Sequence, residues 1–411
     1  MTTLASGLKG IAVTTTRLSD VDGERGRLFI GGVPVEELAP RARFEDVLFL
    51  LWHDRFPTAD ESDAVRAALA AQRRIPAATV ALLRSAARRR VSVMDALRMG
   101  VATLSAAAAT PTGESTAASR LDDAIGLVAR FPTLVATYWR LRRGEEPVAP
   151  DPHLGHAANY LAMLTGTPPH PEVARALETY FNTVVDHGMN ASTFAARVIA
   201  STRSDMVSAL VGAVGALKGP LHGGAPGPAL DMVFEIRENA ARSGRSIAAE
   251  ADAWIRGTVA RGGRIMGFGH RVYKVRDPRA EIFRAAAERL FARAGDLRLY
   301  DDVCTVEGVV LRVLDELKPG RRLQTNMEFY TALLLHGMNL DADLFTPTFA
   351  VARAGGWTAH VLEQAAEDCL IRPGAVYVGD AGRHCPSWMQ PSPPSTPTVE
   401  CESSVAPPAG A

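Results

Sequence analysis

The chain predicts a mostly α-helical fold with a short β-hairpin lead at its N-terminus. Three observations carry this. From Phe44 onward apolar residues recur at three- and four-residue spacing, as Phe44, Val47, Leu48, Leu51 and Trp52 do. Beyond residue 33 the first half holds no strand-rich block. Before it, residues 11–33 alternate short β-branched stretches with the turn pairs Asp22-Gly23 and Gly31-Gly32, the pattern of small hairpins. With 411 residues, 47% of them hydrophobic, the chain is long enough to bury a large core and to form two domains.

Taken in order, alanine-rich helices follow the Phe44 helix to about Leu104, and residues 105–119 are broken by Pro, Gly, Ser and Thr into a connection. Helical periodicity resumes over 125–141 and 156–164. In DHGMNASTFAARVIAST (186–202), Asn190 is the expected N-cap of a helix carrying Phe194 and Val198, and His187 stands just ahead of it. A histidine there serves equally as a capping or core residue. The next stretch, 205–217, is rich in small residues (Ala209, Gly212, Ala213, Ala216) that let two helices approach closely. The Pro/Ser-rich end, 385–411, has little to bury and is expected to be a disordered appendage.

Composition excludes several classes of function. Net formal charge is zero, which argues against a broad electrostatic footprint for nucleic acid or an anionic membrane. Any anion site is therefore local. Only four of the 45 basic residues are lysine, a bias that reads as genome composition rather than function. The four cysteines have no metal-type spacing and suggest no disulfide framework. No signal peptide is readable, and the longest apolar run, 207–217, is far short of the roughly 20 residues that span a membrane. A cytoplasmic protein is expected.

Three segments carry the chemistry. In RIMGFGHRVYKVRDPRA (264–280), His270 follows a Gly-Phe-Gly turn and precedes the cations Arg271, Lys274, Arg276 and Arg279. Gly267 and Gly269 would let the backbone approach a ligand and expose its N–H groups, as anion-holding loops do. Alone, GFGH fits a tight turn before a solvated helix equally well. GPLHGG (219–224) sets a second histidine, His222, among glycines. TNMEFY (325–330) places Glu328 in the first turn of an apolar helix behind the N-cap Asn326, where the helix dipole favours its ionised form.

Together, in this order and at these separations, these segments resemble the active-site signature of the citrate synthase family. DHxxNASTF, FTPTFAVARAGGW and VDGERGRLFIGG extend the similarity to roughly residues 10–379. The resemblance implies a large helical domain (1–217 plus 327–384) and a smaller inserted one (218–326). It implies condensation of acetyl-CoA with oxaloacetate, followed by thioester hydrolysis to citrate and CoA. No permanently bound cofactor or metal is expected; the acyl-CoA is a co-substrate. Such chemistry needs a base for the α-proton, a donor for the thioester oxygen and a donor to polarise the ketone. The resemblance assigns these to Glu328, His222 and His270. It assigns oxoacid binding to His187, Arg279, Arg353 and Arg372, the last reaching across a homodimer, and the CoA side to Gly267, Gly269, Arg271 and Lys274. A planar guanidinium fork suits a carboxylate.

The chain departs from the family pattern at Glu328, where the relatives usually carry aspartate, and at Ser92-Val93, where many have His-Pro. One extra methylene moves the carboxylate by about a C–C bond. Three other readings are weighed. They are a 2-methylcitrate synthase using propionyl-CoA, a non-catalytic CoA- or dicarboxylate-binding paralogue, and a metal enzyme built on the three histidines, for which no HxH or HExxH spacing exists.

Overall fold

The computed structural model describes residues 6–8, 10–106, 116–223, 227–270, 272–386 and 389. Most of the expected tail, 385–411, and Arg271 lie outside the described residues. The chain divides into two compact units. One spans Ala12–Ile371; the other combines Met1–Ile11 with Arg372–Ala411. In the terminal unit, Asp380 accepts the Gly382 N–H at 3.1 Å and pairs with Arg383.

The mostly helical expectation is borne out. A three-stranded antiparallel sheet, β1 (Ser19–Asp22), β2 (Arg27–Ile30) and β3 (Val33–Pro34), precedes a succession of helices. Strands start only at Ser19, later than residue 11. The Asp22 carboxylate accepts the N–H groups of Glu24 and Arg25 at 3.1 and 2.9 Å, closing the first turn. Gly31 and Gly32 close the second at φ 55° and 79°, which favours glycine. Leu28 and Ile30 point into the core while Arg27 faces out, the alternation of a strand buried on one side.

The Phe44–His53 helix buries Phe44, Val47, Leu48, Leu51 and Trp52, and ends where Asp54 turns left-handed at φ 57°. Ser92 caps the Val93–Ala102 helix, which buries Val93 and Met94. Its Asp95 pairs with Lys218 at 2.5 Å, just ahead of GPLHGG. A 26-residue helix, Ala117–Arg142, starts inside the expected connection because Thr116 accepts the Ser119 N–H.

The Phe345–Glu367 helix is buried along most of its length and forms the spine of the larger unit. It is approached closely at Gly356, where a Cβ would stand 2.2 Å from the Val185 carbonyl oxygen. That gap seats the Asp186–His187 turn against the spine. Gly212 works alike for the Met206–Leu217 helix, since a Cβ there would lie 2.3 Å from Ile199. The small-residue stretch thus packs on the Ala191–Ser201 helix. Among the described residues no helix is long and apolar enough to cross a membrane.

Candidate active site

His187 sits in the turn between the Pro171–Val184 and Ala191–Ser201 helices. Asn190 caps the second of these through Thr193 N–H at 3.1 Å, as its sequence position predicts. The turn is tied down from behind. Asp186 is fully buried and accepts from His360 Nε2 at 3.1 Å and Ser19 Oγ at 2.5 Å; Ser19 Oγ in turn accepts Gly188 N–H at 2.8 Å. Burial pushes the Asp186 carboxyl up, but His360, Arg353 and Ser19 outweigh it and hold it at about 2. Behind His360, the fully buried Arg197 reaches Glu363 at 2.6 Å and Gln364 at 2.9 Å.

His222 hangs on a turn in which its own N–H and that of Gly223 bond the Gly219 carbonyl at 2.9 and 3.1 Å. Gly223 is required there, because a Cβ would meet the Leu217 carbonyl at 2.2 Å. The Ser192 N–H donates to His222 Nε2 at 3.2 Å, and Ser192 Oγ, held by Trp357 Nε1 at 3.0 Å, lies 2.8 Å from the same nitrogen. A backbone N–H can only donate, so Nε2 is the acceptor and the neutral ring carries its proton on Nδ1.

His270 shows the complementary arrangement. The N–H groups of Val272 and Tyr273 both donate to Nδ1 at 3.1 Å, which puts the ring proton on Nε2. The Gly-Phe-Gly turn pairs as a short bridge with residues 324–326. Gly269 N–H donates to the Gln324 carbonyl at 2.7 Å, and Asn326 N–H to the Gly267 carbonyl at 3.0 Å. The Asn326 side chain spans both halves: its amide donates to the Gly269 carbonyl at 2.9 Å while its oxygen caps Glu328 N–H at 2.9 Å. His270 and Glu328 are thereby held in one frame. Gly267 and Gly269 have φ of 83° and 81°, and a Cβ on Gly267 would stand 2.9 Å from Phe329, so backbone geometry and packing already demand both glycines.

Arg279 and Arg353 are buried but differ in partnership. Arg279 grips Asp277 two-pronged, Nε to Oδ1 at 2.9 Å and Nη2 to Oδ2 at 2.8 Å. Asp277 also caps Arg279 N–H and accepts Met327 N–H at 3.3 Å. Arg353 donates Nε to the Val184 carbonyl at 2.6 Å and lies over the Phe349 ring at 4.5 Å. Among the described residues its Nη fork meets no carboxylate.

The charges interlock. Burial above all, with Arg279, Arg353 and His270 adding to it, holds His187 well below the ordinary histidine value. Burial and Arg353 bring His222 to about 4; burial and Arg279, partly offset by Asp277, bring His270 to about 4. All three rings are neutral at pH 7. Burial raises the Glu328 carboxyl, with Arg279 opposing, Asp277 reinforcing and Arg264 opposing. Burial, only partly offset by Asp186, lowers Arg353 to about 10, which leaves it a cation.

His187, His270, Arg279 and Arg353 thus share one neighbourhood, with the His187 and His270 rings 6.2 Å apart. Arg353 links it to His222 and Arg279 links it to Glu328. Lys274 is exposed and its N–H donates to the Gly23 carbonyl at 2.9 Å, so the hairpin buttresses the loop after His270. Arg372 is exposed and belongs to the terminal unit. Sequence reasoning missed Tyr273, Ser192 and Asp186. Only Asp277, a cap residue directly before Pro278, had a legible signal.

Among the described residues no group of three or more His, Cys, Asp or Glu side chains is arranged to hold a metal ion. Residues 7–374 match the family model described as citrate synthase, C-terminal domain. A citrate synthase of Haloferax volcanii is 39% identical over 92% of this chain and 96% of its own length. A 2-methylcitrate synthase of Mycobacterium tuberculosis is 38% identical over 93% of this chain and 92% of its own. A solved ternary complex of the Thermoplasma acidophilum citrate synthase with carboxymethyl coenzyme A and oxaloacetate superposes with a TM-score of 0.83 at 29% identity, covering 94% of this chain and all of that one (100%). With nearly its whole length matched and its histidines, arginines and carboxylate converging as described, the chain belongs to the citrate synthase family.

Proposed function

We propose that this enzyme is an acyltransferase that condenses acetyl-CoA with oxaloacetate and hydrolyses the resulting thioester to citrate and CoA. The observation that carries the oxoacid half is Arg353, a buried guanidinium whose fork has no carboxylate among the described residues. A buried cation only partly offset by Asp186 is costly, and a substrate carboxylate offers its fork a direct partner. His187 and Arg279 are close enough to act on one another electrostatically, and Arg353 bears on His187 as well. The complex of the Thermoplasma relative with oxaloacetate and a CoA derivative supports the pairing of substrates.

In this reading Glu328 takes a proton from the acetyl methyl group. Burial raises its carboxyl, which makes it a stronger base than an exposed glutamate. His222, protonated on Nδ1, donates to the thioester oxygen as charge arrives there. His270, protonated on Nε2, polarises the ketone that the new carbanion attacks. Water then cleaves the thioester and CoA leaves as the free thiol. Residues 218–326 are proposed to act as a small domain closing on the rest of the larger unit, which excludes water until condensation is complete. Gly267, Gly269, Arg271 and Lys274 are proposed for the CoA side, and Arg372 for completing the neighbouring site of a homodimer. A cytoplasmic location is proposed.

A second reading, 2-methylcitrate synthesis from propionyl-CoA, is favoured by the Mycobacterium relative. One methylene is worth only about 1–3 kcal/mol of discrimination. Release of free thiol in the presence of oxaloacetate and either acetyl-CoA or propionyl-CoA tests both readings. A higher kcat/KM with acetyl-CoA supports the first and the reverse supports the second. No thiol release with either, alongside retained oxaloacetate binding, leaves the non-catalytic paralogue.

A further inference from the structure

We propose that Tyr273 is a positioning residue for the oxoacid: its hydroxyl fixes the His187 ring, and with it one of the contacts that hold the substrate. The proposal rests on the assignment of His187 to the oxoacid site. Tyr273 is almost fully buried at the point where three residues of that site meet. Its Oη lies 3.0 Å from His187 Nε2, its ring centroid 4.9 Å from that of His270, and the Arg279 guanidinium carbon stands 5.5 Å over the ring.

The hydroxyl meets His187 Nε2, and the ring is held besides by a hydrogen bond with the backbone of His187 itself. Burial chiefly holds the phenol well above its ordinary pKa, so the contact is between a neutral hydroxyl and a neutral ring. The terminal torsion of a histidine is broad and nearly two-fold, and ring flips or tautomer changes exchange donor for acceptor. A hydroxyl can both donate and accept, so the fixed oxygen at Nε2 holds the orientation of the ring rather than choosing its tautomer. The same residue also fixes its other neighbour, since the Tyr273 backbone N–H is one of the two that hold His270 Nδ1. Tyr273 itself is anchored through the next residue, whose N–H bonds the Gly23 carbonyl of the N-terminal hairpin. One tyrosine therefore orients both histidines on the oxoacid side, one by its backbone and the other by its hydroxyl.

Tyr273→Phe deletes the oxygen and keeps the ring. The test is a double-mutant cycle of Tyr273→Phe and His187→Ala, read by calorimetric titration with oxaloacetate and by thiol-release kinetics. Tyr273→Phe alone is expected to weaken oxaloacetate binding roughly fivefold to thirtyfold, with the KM for acyl-CoA little changed. In the His187→Ala background the same change is expected to add less than about twofold, because the group it acts through is gone. Ring-nitrogen NMR shifts of His187 in the unliganded enzyme read the contact directly, and the Nε2 shift should move in Tyr273→Phe. Equal losses in both backgrounds overturn the proposal, as do unchanged oxaloacetate binding or unmoved shifts in Tyr273→Phe. A His187→Ala chain that binds oxaloacetate normally overturns the site assignment as well, whereas normal binding by Tyr273→Phe beside a weakened His187→Ala overturns the proposal alone.

Discussion

Replacing Arg353 with methionine separates what the residue does for the fold from what it does for the substrate. Its guanidinium is held at about 10 against an ordinary 12.5, so keeping it charged in the empty fold costs about 3 kcal/mol. Methionine removes that cost. It also leaves the Val184 carbonyl without its 2.6 Å donor, about 1–3 kcal/mol, and removes the Phe349 contact, about 1 kcal/mol. These terms nearly cancel, and the empty variant should unfold within about 2 kcal/mol of the parent. Binding has no such cancellation. Two charge-assisted hydrogen bonds from the fork to a carboxylate are worth about 3–6 kcal/mol, or roughly two to four orders of magnitude in oxaloacetate affinity. The assay is thermal denaturation with and without oxaloacetate. At a hundredfold excess over Kd the ligand stabilises the parent by about 2.7 kcal/mol, and that gain should vanish in Arg353→Met. A variant that loses its empty-state stability but keeps the ligand-induced gain would make Arg353 a structural residue and refute the reasoning.

Other outcomes are expected from the same geometry. His222→Ala and His270→Ala should each lower kcat roughly 10²- to 10³-fold in the thiol-release assay, since each removes a donor proposed to meet developing charge. Glu328→Gln should abolish exchange of the acetyl-CoA methyl protons with solvent, measured with a non-reacting oxoacid analogue, while oxaloacetate still binds; Glu328→Asp should keep partial turnover. Because the Glu328 carboxyl is raised, it is protonated earlier as pH falls, and kcat should decline on the acid side at a higher pH than an exposed glutamate would give. His156 is buried between Phe44 and Phe181 with neither ring nitrogen bonded, and is held at about 3 in the fold against 6.5 unfolded. Below pH 6.5 the unfolded chain therefore binds a proton that the fold refuses, and stability falls as pH drops toward 3. His156→Phe should raise stability by about 1–2 kcal/mol at pH 7 and lessen that acid loss, as urea denaturation at several pH values would report.

How much of this was legible in the sequence follows from the range of each interaction. Asn190 and Asn326 cap the helices expected of them because a cap reaches only two or three residues ahead. The glycines around His222 and His270 were visible as positions of special backbone, yet their sequence cannot tell a ligand-facing loop from a packed one. The Gly267 contact with Phe329 reveals the packing. Tyr273 looked like any aromatic in a loop, since its role depends on His187, 86 positions away. Asp186 meets His360 across 174 positions, and nothing local to either residue announces the other. Arg279 and Arg353 read alike as arginines in family motifs, and only the fold distinguishes the paired one from the unpaired one.

That distinction bears on the neutrality of the three histidines, two of which are proposed as donors. Burial alone lowers an imidazole, but a buried ring next to a carboxylate would be drawn back toward protonation. Here Arg353, only partly offset by Asp186, bears on His187 and His222, and Arg279 bears on His187 and on His270, where Asp277 partly balances it. The guanidiniums proposed to take the substrate's carboxylates thus add to burial in keeping the rings uncharged. Backbone N–H groups then decide which nitrogen of each ring holds the proton, Nδ1 for His222 and Nε2 for His270. A neutral imidazole is a far weaker acid than imidazolium, so it stabilises charge arriving on an oxygen by hydrogen bonding without first surrendering its proton to solvent or to Glu328. If Arg353 were paired within the fold, as Arg279 is, both its proposed hold on the oxoacid and its depression of His187 and His222 would weaken together. In the proposed mechanism, a buried cation whose fork meets no carboxylate among the described residues would link binding of one substrate to activation of the other.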